Sequence, residues 1–494
     1  MKNVYFILLI LILSFTYNYH EILLKRPCSS HTWRQTDGAS FALTYYQKNA
    51  SLLEPRLHNL LGNDGKTVGE FPIIYYLVGK LYKVLGYHEF LFRAVNTLLF
   101  FLGLFSLFKL SYSLLKNTFF ALVITALGFS SPVVNFYANN FLPDVPALAL
   151  SYIATYNFYL FYSKHKKKYF FIALLTITLA GLIKVTALIP LCVLIGVWLI
   201  DLLFVKKEHK LFNGKTIWLS FLSIVPFIVF GLWVLYSKHY QSINGNDYFL
   251  LATKPFWSVD AETKKFIFDR LTQNWGWFPE FYWKVTIYLS LALFVFLLIS
   301  KKVNFHIKMA LALYFFGVLS FVALYFAQFA HHDYYAVNLM PFFMVNFLAF
   351  FYVFKDALWI NKKWFWGLTI VFVFFNIQHN DRRMHYRYEN PYAMAVEPFY
   401  YISQNYLDSL GITQDKKILY YGEESYCAAF YLINRYGWSR AYSSFSTEED
   451  MLRYKEKGAS YLFVLGAERV EELNISSRFP LVDVFNNSVY IYKL

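Results

Sequence analysis

The chain has 494 residues, 57% of them hydrophobic and 16% charged, and a formal net charge of +15. An ordinary soluble domain carries about a quarter charged residues, so recurrent long apolar runs at this composition exclude one and point to an α-helical polytopic membrane protein. Residues 379–494 hold 13 Lys and Arg against 15 Asp and Glu, which leaves 33 against 16 in residues 1–378. There the basic residues cluster between apolar runs, the pattern of cytoplasmic loops and not of a nucleic-acid surface.

Residues 4–17 (VYFILLILILSFTY) have the length of a signal-peptide core, but no small-residue cleavage site follows, and the run reads as an uncleaved first helix. Further apolar runs near 90–114, 119–136, 145–162, 169–183, 186–204, 216–236, 284–300, 309–328, 335–354 and 364–378 give about eleven transmembrane helices. Basic groups at 109, 116, 164–168, 206–210, 301–308 and 355–363 fall in alternate loops, and the loops near 137–144 and 329–334 carry no Lys or Arg. The positive-inside rule then places the N-terminus in the cytoplasm and, with an odd number of spans, the C-terminus outside.

The expected division is a membrane domain over 1–378, with long outer loops at 18–89 and 237–283, and an extracytoplasmic α/β domain over 379–494. In the first loop, IIYYLVGKLYKVLG has the spacing of a helix lying on the membrane surface. The second is Trp-rich, with NWGWFPEFYW near its end. In the tail, KKILYYG, SYLFVLG and SVYIYKL read as strands, 425–438 as a helix stopping near Gly437, and 446–458 as a helix capped by Ser446. No catalytic motif stands out in this domain, so it reads as a lid or scaffold. The three cysteines show no metal or redox spacing; Cys192 reads as a packed thiol, and Cys28 and Cys427 as unpaired.

Ionisable groups at a membrane face are costly, and five places hold them. The first, His31-Thr32-Trp33-Arg34-Gln35-Thr36-Asp37-Gly38, sets an aspartate near an arginine. That pair suits deprotonation of an acceptor with a cation nearby, or simply a salt bridge in the loop. The second is Glu70, in Gly-Glu-Phe-Pro, which also suits ordinary stabilisation of a helix start. The third is Asp144 in Asn-Asn-Phe-Leu-Pro-Asp-Val-Pro, either a helix-start residue or an acid of the site. The fourth is Lys184, either snorkelling to headgroups or binding the phosphate of a lipid-linked substrate. The fifth is His331-His332-Asp333-Tyr334-Tyr335, suited to hydrogen-bonding a phosphate or sugar more than to gathering a metal. The expected topology puts all five on the outer side. There is no Walker, dinucleotide or HExxH motif, so a nucleotide-driven pump is disfavoured.

WRQTDGASFA after a first apolar helix resembles the acidic first-loop motif of C-type (GT-C) glycosyltransferases, the superfamily of protein mannosyltransferases and lipid A aminoarabinose transferases. Glu70, Pro72 and Arg93 in the following segment, FLPDVPALAL with Asp144, GLIKVTALIP with Lys184, and HHDYYAVNLMP are similar to later motifs of the family in the same order, and the tail resembles its outer C-terminal domain. Two departures stand out. Gly38 occupies the place where the family often has a second acid, and Phe71 stands where aminoarabinose transferases tend to have lysine.

The resemblance implies a bacterial inner-membrane enzyme that moves a sugar, with inversion, from a polyprenyl-phosphate donor to an extracytoplasmic glycan, lipid or protein. Asp37 would be the catalytic base. Arg34, Glu70 and Asp144 would support it or bind acceptor and sugar, and Lys184, Arg93, His331, His332 and Tyr335 would hold the lipid phosphate. No metal or other cofactor is expected from the residues, although a divalent ion serves some relatives. The rival readings are a transporter or flippase of lipid-linked sugars, which needs polar groups in mid-span, and a non-catalytic glycan-assembly protein.

Overall fold

A computed structural model describes residues 2–212, 216–246, 249, 253–272, 280–392, 396–422, 425–439 and 448–494. The helices run, in order, α1 (Lys2–Thr16), α2 (Thr32–Gln47), α3 (Ile73–Leu85), α4 (Phe90–Leu115), α5 (Thr118–Phe129), α6 (Pro132–Ala138), α7 (Asp144–Lys164), α8 (Lys167–Ile183) and α9 (Ile189–Phe204). They continue with α10 (Thr216–Asn244), α11 (Ala261–Thr272), α12 (Lys284–Ile299), α13 (Phe305–Leu324), α14 (Met340–Phe354) and α15 (Lys363–Glu389).

Among the described residues, five helices are long and apolar enough to cross a bilayer: Phe90–Leu115, Val185–Phe204, Ile217–Asn244, Phe305–Leu324 and Asp333–Phe354. The pair α5 and α6, bent by 76°, makes a sixth if it is counted as one span. The bend has a local cause, since Pro132 in the first turn of α6 has no amide hydrogen to continue α5. α1 and α12 are apolar but shorter. The expected eleven spans would therefore have to include shorter and more polar helices such as α7, α8 and α15.

Several expectations change in detail. Pro190 and Pro341 lie in the first turns of α9 and α14, within the spans Val185–Phe204 and Asp333–Phe354, and Pro226 is inside α10. Cys192 is exposed on α9, because the buried face of that helix is made by Leu191, Val193, Val197, Trp198 and Asp201. Cys28 and Cys427 are both buried. α15 passes residue 378 unbroken to Glu389.

The chain forms two compact units. The first contains Met1–Leu24, Arg93–Val234 and Leu251–Tyr386. In it α7 packs along α8, α9 along α13 and α12 along α14. α4 and α7 approach closely at Gly103, where a Cβ would lie 2.6 Å from the Cα of Ala149. Near the end of α9, buried Asp201 accepts from the amides of Leu211 and Phe212 and pairs with His306 at 2.7 Å, tying the loop after α9 to the start of α13.

The second unit contains Lys25–Phe92, Leu235–Leu250 and Arg387–Leu494. Residues 25–92 are thus not a plain loop: α2 is a sixteen-residue helix and lies against α3. Contact is possible because Gly79 of α3 has no side chain; a Cβ there would sit 2.7 Å from the Cβ of Tyr45 and 2.8 Å from the carbonyl of Ala42. The tail folds as a five-stranded mixed sheet in the order β2-β1-β3-β5-β4, with β1 (Lys417–Tyr421), β2 (Gly437–Trp438), β3 (Ala459–Leu465), β4 (Leu481–Phe485) and β5 (Val489–Lys493). β1 is parallel to β2 and β3, and β5 is antiparallel to β3 and β4.

The three expected strands are β1, β3 and β5; β2 and β4 were not foreseen. α16 (Ala428–Ile433) ends four residues before Gly437, where Asn434 takes a left-handed turn at φ 51°. α17 (Glu448–Glu456) and α18 (Ala467–Glu472) pack against β3. The expected cap Ser446 and most of NWGWFPEFYW (273–279) lie outside the described residues.

Candidate active site

In the second unit, Arg34 and Asp37 lie one turn apart on α2, so their side chains share a face. Arg34 pairs with the carboxylate of Glu70, which also accepts a hydrogen bond from the Tyr75 hydroxyl; Glu70 stands three residues before the start of α3, and Tyr75 is in its first turn. The Arg34 guanidinium also stands 5.7 Å over the ring of Phe249. The Glu70 carboxylate is within electrostatic reach of Asp37.

Asp37 is 3% exposed, and its Oδ1 has no hydrogen-bond partner among the described residues. Burial pushes its carboxyl up to about 7; Arg34 pulls the value down and Glu70 pushes it further up. A carboxyl poised there takes and returns protons near neutrality, the property a general base needs. Burial and the Glu70 charge also hold the Tyr75 phenol far above its ordinary range, so it stays a hydrogen-bond donor.

In the first unit, Asp144 is the first residue of α7 and Lys184 stands in the extended break after α8; they pair at 3.3 Å. The ammonium also lies 5.7 Å over the ring of Tyr334. Tyr137 donates to the carboxylate of Asp333 and packs edge-on against Tyr334, so α6, α7, the α8–α9 turn and the segment before α14 meet here. The turn that aims Asp144 is fixed from α4. Fully buried Arg93 donates to the carbonyl of Asn139 and stacks 4.6 Å over Phe141, and Asn96, one turn on, donates to the carbonyls of Asn140 and Leu142.

The remaining expected residues are spread around this cluster. His332 is half-buried, its ring 5.2 Å from that of Tyr334. Tyr335 sits among Phe321, Tyr325 and Phe329. His331 is exposed, near the ring of Phe266. Sequence reasoning passed over Tyr75 and Tyr137; Tyr75 lies within the GEFPIIYY segment, and five residues from Glu70 across a helix start was the available signal. Among the described residues, no three or more His, Cys, Asp or Glu side chains gather as a metal site would need.

No protein-family model matches the sequence, and no curated protein matches it. Solved structures do match the fold. The structure of ArnT from Cupriavidus metallidurans in the apo state aligns with a TM-score of 0.63 at 9% identity, covering 99% of this chain and 98% of that one. ArnT from the same organism bound to undecaprenyl phosphate aligns with a TM-score of 0.61 at 10% identity, covering 100% and 98%. From end to end, then, the chain has a fold like that of ArnT, a polytopic helical domain followed by a small mixed-sheet domain.

Proposed function

We propose that the protein is a membrane glycosyltransferase that transfers a sugar, with inversion, from a polyprenyl-phosphate donor to an acceptor on the outer side of a bacterial inner membrane. The observation that carries this reading is the buried carboxyl of Asp37, poised near neutrality beside the Arg34–Glu70 pair, in a chain with an ArnT-like fold along its whole length. An ArnT structure holding undecaprenyl phosphate supports a lipid-linked donor.

In the proposed reaction Asp37 accepts the proton of an acceptor hydroxyl or amine as that atom attacks the anomeric carbon. The bond from that carbon to the phosphate oxygen breaks, and the phosphate leaves with the electron pair. Lys184 neutralises its charge. An ammonium carries three donors, so its pairing with Asp144 is compatible with a phosphate contact. Glu70 and Tyr75 hold Arg34 in place. A largely apolar cavity of about 480 Å³ in the first unit, lined by Ala154, Leu191, Leu311, Tyr314 and Leu348 among others, suits a stretch of hydrocarbon chain.

The charged groups stand at helix ends and breaks, which favours an enzyme over a transporter. Asp37→Asn should reduce transfer by about 10²- to 10⁴-fold while the protein remains folded and membrane-inserted. Activity within a few-fold of wild type would remove Asp37 from the role of base.

A further inference from the structure

The loop that follows α2 is built into the edge of the C-terminal sheet. Residues 58–60 run parallel to β2: the amide of Gly437 donates to the carbonyl of His58 at 3.1 Å, and the amide of Leu60 donates to the carbonyl of Gly437 at 2.6 Å. Between them the buried Asn59 side chain donates to the carbonyls of Tyr426 and Ser439, at 2.8 and 2.9 Å. The His58 ring stacks on that of Tyr436, with 4.6 Å between centroids. Backbone and ring of His58 are thus both held by the C-terminal domain.

From this fixed point, bonds run to α2. The His58 amide donates to Ser40 Oγ at 3.0 Å, and His58 Nδ1 lies 2.8 Å from the same oxygen. Both residues are fully buried. Burial holds the imidazole down to about 3, so it is neutral. Ser40 Oγ already accepts the amide hydrogen, and the hydroxyl has its own hydrogen to give to Nδ1. Further along the helix, Thr44 donates to the carbonyl of Arg56 at 2.6 Å. Gln47 donates to Asn434 at 2.8 Å and accepts from the Tyr436 hydroxyl at 2.7 Å. Asp37, Ser40, Thr44 and Gln47 follow one another in steps of three and four residues, so they form one stripe of α2. The stripe that carries Asp37 is therefore tied, turn by turn, to the C-terminal domain and to the loop it holds. The Asp37 turn needs such a tie, because Gly38 beside it weakens the helix and has no side chain to anchor it.

We infer that His58 is a positioning residue for Asp37: its Nδ1 bond to Ser40 fixes the rotation of the α2 turn that carries the carboxyl, so the C-terminal domain aligns the proposed base. The consequence for transfer rests on the functional reading above, whereas the clamp on α2 does not. A base turned out of line slows the chemical step and leaves the grip on the donor as it was, so kcat falls while KM for the donor holds.

The test uses the full-length protein. His58→Phe keeps a ring against Tyr436 and loses the acceptor; His58→Asn loses the ring and puts a carbonyl oxygen at the place of Nδ1; Ser40→Ala removes the other partner. Amide hydrogen exchange over residues 36–40 reads the clamp, and kcat and KM for a short-chain polyprenyl-phosphate sugar read its consequence. His58→Phe and Ser40→Ala should each speed exchange by about tenfold. They should lower kcat by about 10- to 10²-fold with donor KM changed less than about twofold. His58→Asn should recover most of both, and the double variant His58→Phe with Ser40→Ala should be no worse than either alone. Wild-type exchange in His58→Phe or Ser40→Ala, whichever folds, overturns the proposal, as does His58→Asn performing no better than His58→Phe. Exchange that follows the expected pattern while kcat does not upholds the clamp and instead removes Asp37 as base.

Discussion

Asp37 is held in a conflict whose balance can be read with the protein's own charges. Its unfolded carboxyl would titrate near 3.8, and in the folded protein it titrates near 7. Between these values the unfolded chain has lost the proton and the folded one keeps it, so stability falls as pH rises from about 4 to about 7 and stays lowered above. Asp37→Asn should therefore stabilise the protein at pH 8, on the order of 2–4 kcal/mol, and leave it nearly unchanged at pH 4; thermal unfolding at the two pH values measures the difference. Glu70→Gln removes a charge that raises the Asp37 midpoint and leaves Arg34, which lowers it, so the acid limb of activity should move to lower pH. Lys184→Met should weaken use of the donor by about 10²-fold or more in kcat/KM, with Lys184→Arg recovering part of it, as transfer assays at varied donor concentration would read.

At this scale Asp144 and Lys184 are legible as lone charges between apolar runs, and Asp37 as an acid close to Arg34 and Trp33. Tyr75 and Tyr137 are not. Tyrosines are abundant throughout the chain, 42 in all, and a buried serine has no pattern until distant segments meet.

The element most at odds with its sequence is α2. Twelve of its sixteen residues are buried, among them Thr32, Gln35, Thr36, Asp37, Ser40 and Thr44. A helix enclosed on most sides by protein has no apolar stripe to announce it, so a helical period is missing. α3 announces itself because one face is buried, with Ile74, Tyr75, Val78 and Tyr82, while Leu77 and Val84 face outward. The two helices meet at Gly79. Gly79→Leu should destabilise the protein by about 1–3 kcal/mol or more by forcing α3 off α2, whereas Gly231→Leu, at a place with nothing within 4 Å, should change thermal stability little. In the tail, strands β1, β3 and β5 were legible from alternating β-branched and aromatic residues. β2 has only two residues, and β4 is only partly buried, so neither carries a strong period.

Across the whole molecule, composition and charge placement sufficed for a polytopic helical protein with a small α/β domain, and the order of loose motifs pointed to a family resemblance with which the ArnT-like fold agrees. The count of spans was less legible, because polar and aromatic helices such as α7 and α8 do not separate cleanly by hydropathy. A fold shared at 9–10% identity does not carry donor or acceptor identity, which belongs to side chains and not to the fold. The most direct measurement supplies purified wild-type protein with a short-chain polyprenyl-phosphate sugar and a membrane-glycan or lipid acceptor extract, and follows both the sugar and the lipid phosphate. The account predicts a glycosylated product and one released polyprenyl phosphate for each sugar moved, both lost in Asp37→Asn. Movement of intact donor across proteoliposome membranes, with no product and no released lipid phosphate, would contradict it.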